Sequence, residues 1–145
     1  MTQPKPVADD LAVTAQPSKA DIQRFAELGY RTIINNRPDG EEPGQLSAAE
    51  AKAEADRANM AYVHLPVKTG AITASDVEAF QRALRESPKP VVAHCKTGTR
   101  SYLLWAAREA LSGQRDAAEI VKQAAAAGYD LSSLPALVER LSDKR

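Results

Sequence analysis

Residues 90–101 read Pro-Val-Val-Ala-His-Cys-Lys-Thr-Gly-Thr-Arg-Ser, an apolar run followed by a short polar loop that contains one glycine. The next residues, Tyr-Leu-Leu-Trp-Ala-Ala over 102–107, are typical of the first turns of a helix. This order predicts a strand, a tight loop and a helix N-terminus. Backbone N–H groups in such a loop point inward and the helix dipole favours negative charge, so the stretch predicts an anion-binding site.

Two side chains give this loop a reactive character. Cys95, the only cysteine of the chain, begins the loop, and Arg100 ends it five residues later. A guanidinium binds two oxygens of an oxyanion at once. Because a helix N-terminus and a nearby cation favour the thiolate form, we predict that Cys95 is a nucleophile toward an anionic substrate. The alternative is a buried, unreactive cysteine at the end of a strand.

The composition sets limits on the partners. Nineteen basic and nineteen acidic side chains give the 145 residues a formal net charge of zero, so bulk charge predicts neither a nucleic-acid nor a membrane partner. No apolar run approaches membrane-spanning length, and the polar N-terminus lacks the apolar centre of a signal peptide. With a single cysteine, a cytoplasmic location is the simplest expectation. Two histidines and one cysteine are too few for a convincing metal site, and we predict none.

The rest of the chain alternates between short apolar runs and segments with helical spacing. Strands are predicted at 11–14, 32–34, 61–65 and 91–93, and helices follow the N-cap residues Ser18, Ser47 and Thr73, the cysteine loop, and residues 114 and 132. The pattern predicts an α/β fold, with a mainly parallel central sheet of about four to five strands, helices on both faces and a helical C-terminus. Residues 1–10 are expected to be a flexible arm, and 11–145 a single domain.

Two loops should lie near the cysteine loop, because the carboxyl ends of parallel strands meet at one edge of a sheet. Residues 35–44 are rich in proline, glycine and acidic side chains, and residues 66–72 follow the next strand. A solvated turn explains any single charge of the first loop equally well. His64, at the end of a strand, is expected to be a core histidine with a hydrogen bond.

The sequence TAQPSKADIQRFAELGYRTIINNRPDGE, residues 14–41, and HCKTGTRS, residues 94–101, resemble the bacterial β-lactamase-hydrolase-like, phosphatase-like family. The order of elements resembles the protein tyrosine and dual-specificity phosphatases more broadly. The resemblance covers about residues 10–112, and the cysteine loop is its specific part. It implies a dual-specificity-phosphatase-like fold.

The resemblance also implies roles for the loop residues. Cys95 would be the nucleophile and Arg100 the anion clamp, with His94 tuning the thiolate. Ser101 would hydrogen-bond the thiolate or assist the leaving step. The anion-binding amides would come from residues 96–100, which include Lys96, Thr97, Gly98 and Thr99.

The loop departs from the phosphatase pattern in its length. That signature has five residues between cysteine and arginine, whereas four lie between Cys95 and Arg100. A four-residue spacing with this glycine is similar to the rhodanese sulfurtransferase loop. A tighter ring favours a persulfide sulfur or a small sulfur oxyanion over a phosphoryl group, and Lys68 and Lys96 near its mouth would attract a dianion.

A second departure concerns the general acid. Phosphatases of this type carry an aspartate after an earlier strand, but residues 66–72 contain no carboxylate. General acid help is typically worth about 10²–10⁴-fold in rate. Asp39 and Glu41, or Glu42 beside them, are the candidates from the other loop. Asp76 is a further candidate, although a helix cap explains it more simply.

These departures lead to three hypotheses. The leading one is a sulfurtransferase, in which Cys95 takes sulfur from thiosulfate or a persulfide and passes it to a thiol acceptor such as glutathione. The second is a phosphatase that acts on a phosphoester through a phosphocysteine, with Asp39 or Glu41 as the acid. The third is a non-catalytic module that binds an anion or docks a protein. None of them requires a cofactor.

Overall fold

The computed structural model describes residues 2–142, which contain five strands and six helices. In chain order these elements are β1 (Lys5–Ala8), β2 (Leu11–Thr14), α1 (Lys19–Glu27), β3 (Thr32–Asn35), α2 (Ala48–Arg57), β4 (Ala61–His64), α3 (Ala74–Glu86), β5 (Val91–His94), α4 (Thr99–Leu111), α5 (Ala117–Ala126) and α6 (Leu134–Ser142). The predicted alternation of strands and helices and the helical C-terminus are confirmed.

The sheet places β5 at its centre. The strand order is β1-β2-β5-β3-β4, and β2, β5, β3 and β4 run parallel to one another. Their last residues are in register, so Thr14, His94, Asn35 and His64 form one row at the carboxyl edge of the sheet. The chain that leaves β5 therefore emerges between two other strand ends, which is where open α/β sheets place their sites.

Both faces of the sheet are covered, because successive side chains of a strand point to opposite faces. Val92 and Ile33 pack under α1 and α2 with Ile22, Phe25, Ala51 and Ala55. Ala93 and Ile34 pack under α3, α4 and the C-terminal helices with Phe80, Leu104, Ile120 and Leu134. Burial on both faces holds β5, and with it the start of the cysteine loop, in a fixed position.

Capping boxes begin three of the helices, as their sequences predict. Ser18 with Asp21, Ser47 with Glu50, and Thr73 with Asp76 each make both reciprocal hydrogen bonds of the motif. Asp76 is therefore a cap residue, and its carboxylate accepts the Thr73 backbone N–H at 2.9 Å. Within residues 2–142, none of the helices combines the length and apolar character needed to cross a membrane.

The N-terminal segment differs from the flexible arm predicted for residues 1–10. Lys5–Ala8 form β1, which pairs antiparallel with β2 through a register shift between Pro6 and Ala8. Proline removes a backbone donor, so a strand that contains it is tolerated at a sheet edge, where β1 lies. The polar, proline-containing sequence hides this strand from pattern analysis.

Candidate active site

Cys95 lies at the carboxyl end of the central strand and is almost fully buried. Its Sγ accepts a hydrogen bond from the backbone N–H of Gly98 at 3.0 Å. Gly98 is also the N-cap residue of α4, so the sulfur faces the positive end of that helix. The structure therefore brings the sulfur and a backbone donor together as the sequence predicts.

The loop needs glycine at position 98 for two reasons. Its φ of +102° lies in the left-handed region that side chains disfavour. A Cβ there would lie 2.9 Å from both Cε1 and the hydroxyl of Tyr129, and 3.3 Å from the Thr14 carbonyl oxygen. Tyr129 was not among the predicted site residues. It follows α5, and no sequence pattern connects it with a loop 30 residues earlier.

Arg100 is buried and forms a bidentate ion pair with Glu41. Its Nη1 donates to Glu41 Oε2 at 2.7 Å, and its Nη2 donates to Glu41 Oε1 at 2.9 Å. The second Nη1 hydrogen goes to the Val67 carbonyl oxygen at 2.9 Å. The pKa of Arg100 is raised, first by the hydrogen bond to Glu41 and also by the nearby Cys95 sulfur, so the guanidinium stays charged.

Three of the five N–H donors of Arg100 are thus used within the described part of the chain. The two that remain, Nε–H and one Nη2–H, lie on the same edge of the planar guanidinium. That edge is a fork that matches two oxygens of a phosphate or a similar anion. The pair with Glu41 fixes the plane of the fork and leaves its binding edge available.

Arg37 is a site residue that the sequence analysis missed. Its side chain is only 1% exposed, and its Nε donates to Glu41 Oε1 at 2.8 Å. Its Nη2 donates to Glu42 Oε1 at 2.9 Å, and its Nη1 to Gln16 Oε1 at 3.2 Å. A cation directly after a buried strand was the available signal. Arg37 anchors the β3–α2 loop, residues 36–47, and so holds Glu41 against Arg100.

Glu41 is therefore unsuited to the acid role predicted for it. The hydrogen bond from Arg100, helped by that from Arg37, lowers the pKa of Glu41 to about 2 against the opposing effect of burial. An ionised carboxylate at neutral pH has no proton to donate. Asp39, the other predicted acid, accepts the backbone N–H of Ala48 at 2.8 Å and lies at the start of α2. The structure supports neither residue as the general acid.

His94 is buried beneath the loop and is neutral. Its Nδ1 lies 3.3 Å from the Cys95 carbonyl oxygen, which only accepts, so Nδ1 carries the proton. Burial lowers the pKa of His94 to about 4. Its Nε2 is buried without a hydrogen-bond partner among the described residues. His94 thus contacts the backbone of the nucleophile and not its sulfur.

Ser101 makes a different contact from the one predicted. Its hydroxyl donates to Asn36 Oδ1 at 2.8 Å, and Asn36 Nδ2 donates to the Leu65 carbonyl oxygen at 3.0 Å. The Ser101 proton is therefore directed to the end of β3 and away from Cys95. This chain of hydrogen bonds connects α4 with the carboxyl ends of β3 and β4. His64 has a similar structural role, since its Nε2 bonds the Arg37 carbonyl oxygen at 2.9 Å.

The remaining loop residues form the outer rim. Lys96 is exposed, with its Nζ 3.5 Å from Glu42 Oε2. The Thr97 hydroxyl donates to Thr99 Oγ1 at 3.1 Å and accepts the Thr99 N–H at 3.4 Å. These contacts close the first turn of α4. Among residues 2–142 there is no group of three metal-ligating side chains.

Solved structures with similar folds include phosphatases. A candidate phosphatase from Neisseria meningitidis superposes with a TM-score of 0.81 and 40% sequence identity, over 93% of each chain. The core catalytic domain of a PP-IP phosphatase from S. cerevisiae has a TM-score of 0.66 and 16% identity, over 83% of this chain and 72% of that one. The second likeness shows the fold alone. The predicted dual-specificity-phosphatase-like α/β fold is confirmed.

A beta-lactamase hydrolase-like protein of Xylella fastidiosa is 40% identical over 134 residues, which is 92% of this chain. The chain spans 31% of the length of that relative. These likenesses favour the phosphatase hypothesis. They give no support to the sulfurtransferase hypothesis that the sequence analysis placed first, nor to a rhodanese-like loop.

Residues 4–112 match the family model described as beta-lactamase hydrolase-like protein, phosphatase-like domain. The match contains β1 to α4 and therefore the whole cysteine loop with the residues that hold Arg100. The chain belongs to the family of phosphatase-like domains of beta-lactamase hydrolase-like proteins.

Proposed function

We propose that this domain is a phosphatase that hydrolyses phosphate monoesters through a phosphocysteine on Cys95. The observation that carries the proposal is the meeting of three groups at one point. Cys95 Sγ receives the Gly98 N–H at 3.0 Å, the α4 N-terminus faces the sulfur, and Arg100 presents a guanidinium edge beside it. Each of these groups stabilises a thiolate and the anion it attacks.

In the first step the Cys95 thiolate attacks phosphorus, forms the S–P bond and breaks the ester P–O bond. The ester oxygen leaves with the bonding electron pair and takes a proton from water. In the second step a water molecule attacks phosphorus, breaks the S–P bond and releases inorganic phosphate, so that the thiolate returns. Backbone N–H groups of the loop and the free edge of Arg100 would bind the equatorial oxygens through both steps.

Glu41 would act as a positioning residue in this scheme. It is ionised, and it binds Arg100 end-on through both carboxylate oxygens. Holding the guanidinium plane in advance reduces the conformational cost of binding the substrate. Arg37 in turn fixes Glu41 by a hydrogen bond from its Nε.

The absence of a carboxyl group in residues 66–72 bears on the substrate. Without a general acid, the leaving oxygen must accept negative charge before water protonates it. Esters of acidic alcohols, such as phenols, tolerate this better than esters of alkyl alcohols. Aryl phosphates are therefore the substrates of choice for a first assay.

The test measures phosphate release from phenyl phosphate by wild type, Cys95→Ser and Arg100→Lys, with Arg57→Lys as the control. Arg57 is exposed on α2, where it pairs with Glu54, and it makes no contact with the cysteine loop among the hydrogen bonds described above. We expect Cys95→Ser to fall to background and Arg100→Lys to lose about 10²-fold, because lysine cannot form a fork. Phosphate release by Cys95→Ser at the wild-type rate would exclude the proposal. So would a wild-type protein that releases no phosphate.

A further inference from the structure

A cleft of about 590 Å³ opens beside the cysteine loop. Lys96, Thr97, Thr99 and Arg100 of the loop and the start of α4 contribute to its lining, and so do Ile72, Leu103, Leu137 and Arg140. The volume is far larger than a phosphate group needs and falls within the range of small-molecule sites. Because Arg100 lines the cleft, the cleft adjoins the anion site and offers space for the rest of a substrate.

The wall opposite the loop comes from α6. Leu137 is buried against α4, and Ile72 is buried in the segment between β4 and α3. Both contribute apolar surface to the cleft. Polar groups lose hydration in such surroundings without a compensating hydrogen bond, whereas apolar groups gain from burial. A leaving group that fills this part of the cleft should have an apolar body.

Arg140 adds a positive charge at the same wall. Its Nη2 donates to the Ile72 carbonyl oxygen at 2.9 Å, which fixes the guanidinium at the edge of the cleft. This bond uses one of its five donors. No carboxylate lies within ion-pair distance of Arg140 among residues 2–142. Within the described part of the chain its other four donors make no hydrogen bond, so they can bind an anion that enters the cleft.

We propose that this cleft selects phosphate monoesters whose leaving group has an apolar body, packed on Leu137 and Ile72, and a second anionic group, bound by Arg140. The inference rests on the proposed phosphatase function and adds a specificity role for α6. That helix lies beyond the 4–112 segment matched by the family model.

The first experiment compares kcat/KM for 4-carboxyphenyl phosphate and phenyl phosphate in wild type, Arg140→Gln and Glu139→Gln. Glu139 is exposed on the same helix and does not line the cleft, so it is a matched control. The intrinsic reactivity of the two esters cancels when their ratio is compared between variants. We expect Arg140→Gln to lower the ratio about tenfold, the usual order for one charged hydrogen-bonding contact. Glu139→Gln should leave it unchanged.

A second variant tests the space itself. Ala136 is exposed on α6 and lines the cleft, so Ala136→Phe should fill part of it without disturbing the core. We expect the KM of both aryl phosphates to rise several-fold, while inhibition by orthovanadate, which needs only the anion loop, stays as in wild type. An unchanged ratio in Arg140→Gln, or unchanged KM values in Ala136→Phe, would overturn the inference.

If the protein is not a phosphatase, the phenyl phosphate assay will show no Cys95-dependent phosphate release. Calorimetric binding of the two esters to Cys95→Ser, and to the same protein with Arg140→Gln, tests the cleft without turnover. Tighter binding of the carboxylated ester that disappears with Arg140→Gln supports the cleft. Equal binding of the two esters to Cys95→Ser contradicts it, even if wild type proves to be a phosphatase.

Discussion

At the scale of single residues, the site depends on how Arg100 is oriented. An unconstrained arginine samples many rotamers, and fixing one on binding costs free energy. Here Glu41 and the Val67 carbonyl oxygen fix the guanidinium before any substrate arrives. A carboxylate beside a catalytic cysteine is readily taken for a proton donor, but its ionised state at neutral pH points to a positioning role.

Glu41→Gln separates these two roles. The amide keeps the shape but loses the charge and one acceptor, so Arg100 is held less well. We expect KM for an aryl phosphate to rise about tenfold, in line with the loss of one charged hydrogen bond, with little change in the dependence of kcat on leaving-group acidity. Steady-state kinetics over a series of substituted phenyl phosphates checks this.

Glu42→Gln is the matched control, because Glu42 bonds Arg37 and Lys96 but not Arg100. Its kinetics should stay close to those of wild type. If Glu41→Gln instead slowed poor leaving groups far more than good ones, Glu41 would be a general acid.

Gly98 offers a second prediction at this scale, through a comparison with Gly113. Both have positive φ, but a Cβ at Gly113 meets nothing within 4 Å, whereas one at Gly98 meets Tyr129 at 2.9 Å. We expect Gly113→Ala to lower the free energy of unfolding by about 1 kcal/mol and Gly98→Ala by about 3 kcal/mol or more. Urea denaturation measures both. Equal losses would show that the contact with Tyr129 adds nothing.

At the scale of elements, the β3–α2 loop depends on a buried cation. Arg37 connects Gln16, Glu41 and Glu42 and is almost inaccessible to water. Arg37→Ala would leave a cavity and would remove one of the two cationic partners of both Glu41 and Glu42. We expect a loss of about 3 kcal/mol in the free energy of unfolding, from the cavity and from the lost hydrogen bonds of the buried guanidinium.

Arg57→Ala is the comparison for that variant. Arg57 is 62% exposed and pairs with Glu54 at the surface, so its removal should change stability by less than about 1 kcal/mol. Urea denaturation of both variants measures the two losses in the free energy of unfolding. Similar losses in the two would mean that the β3–α2 loop does not depend on Arg37.

The elements also show what could be predicted from the sequence. Capping boxes and apolar spacing are local signals, and they placed the helices after Ser18, Ser47 and Thr73 correctly. The meeting of Arg37, Glu41 and Arg100 is tertiary, and no local spacing encodes it. For this reason Arg37 was missed, and the ion pairs that argue against an acid role for Glu41 were not foreseen. The preference for sulfur transfer, drawn from the short loop and the missing general acid, also found no support in the chain's relatives.

At the scale of the whole molecule, stability should depend on pH through His94. Its pKa is about 4 in the folded protein because of burial, against an ordinary value of 6.5. Between these values the unfolded chain binds a proton that the folded protein does not. The free energy of unfolding should therefore fall by roughly 3 kcal/mol as the pH drops from 6.5 to 4.

Urea denaturation of wild type and His94→Gln at a series of pH values tests this prediction. Glutamine does not titrate, so the variant should show a flatter profile over the same range. Protonation of Glu41 removes the stabilisation from its ion pairs at lower pH, between about 4.5 and 2. The two contributions are therefore distinguished by the pH range in which stability falls. Identical slopes between pH 6.5 and 4 would show that His94 is not the group responsible.

In the proposed mechanism Cys95 carries a phosphoryl group during turnover. The most direct test of this step is intact-protein mass spectrometry of wild type and Cys95→Ser, quenched during the hydrolysis of an aryl phosphate and, separately, after exposure to thiosulfate. We predict a phosphoryl adduct on wild type that Cys95→Ser lacks, and no lasting sulfur adduct from thiosulfate. A one-sulfur adduct on Cys95 with no phosphoryl adduct would contradict the account and would identify the loop as a site of sulfur transfer.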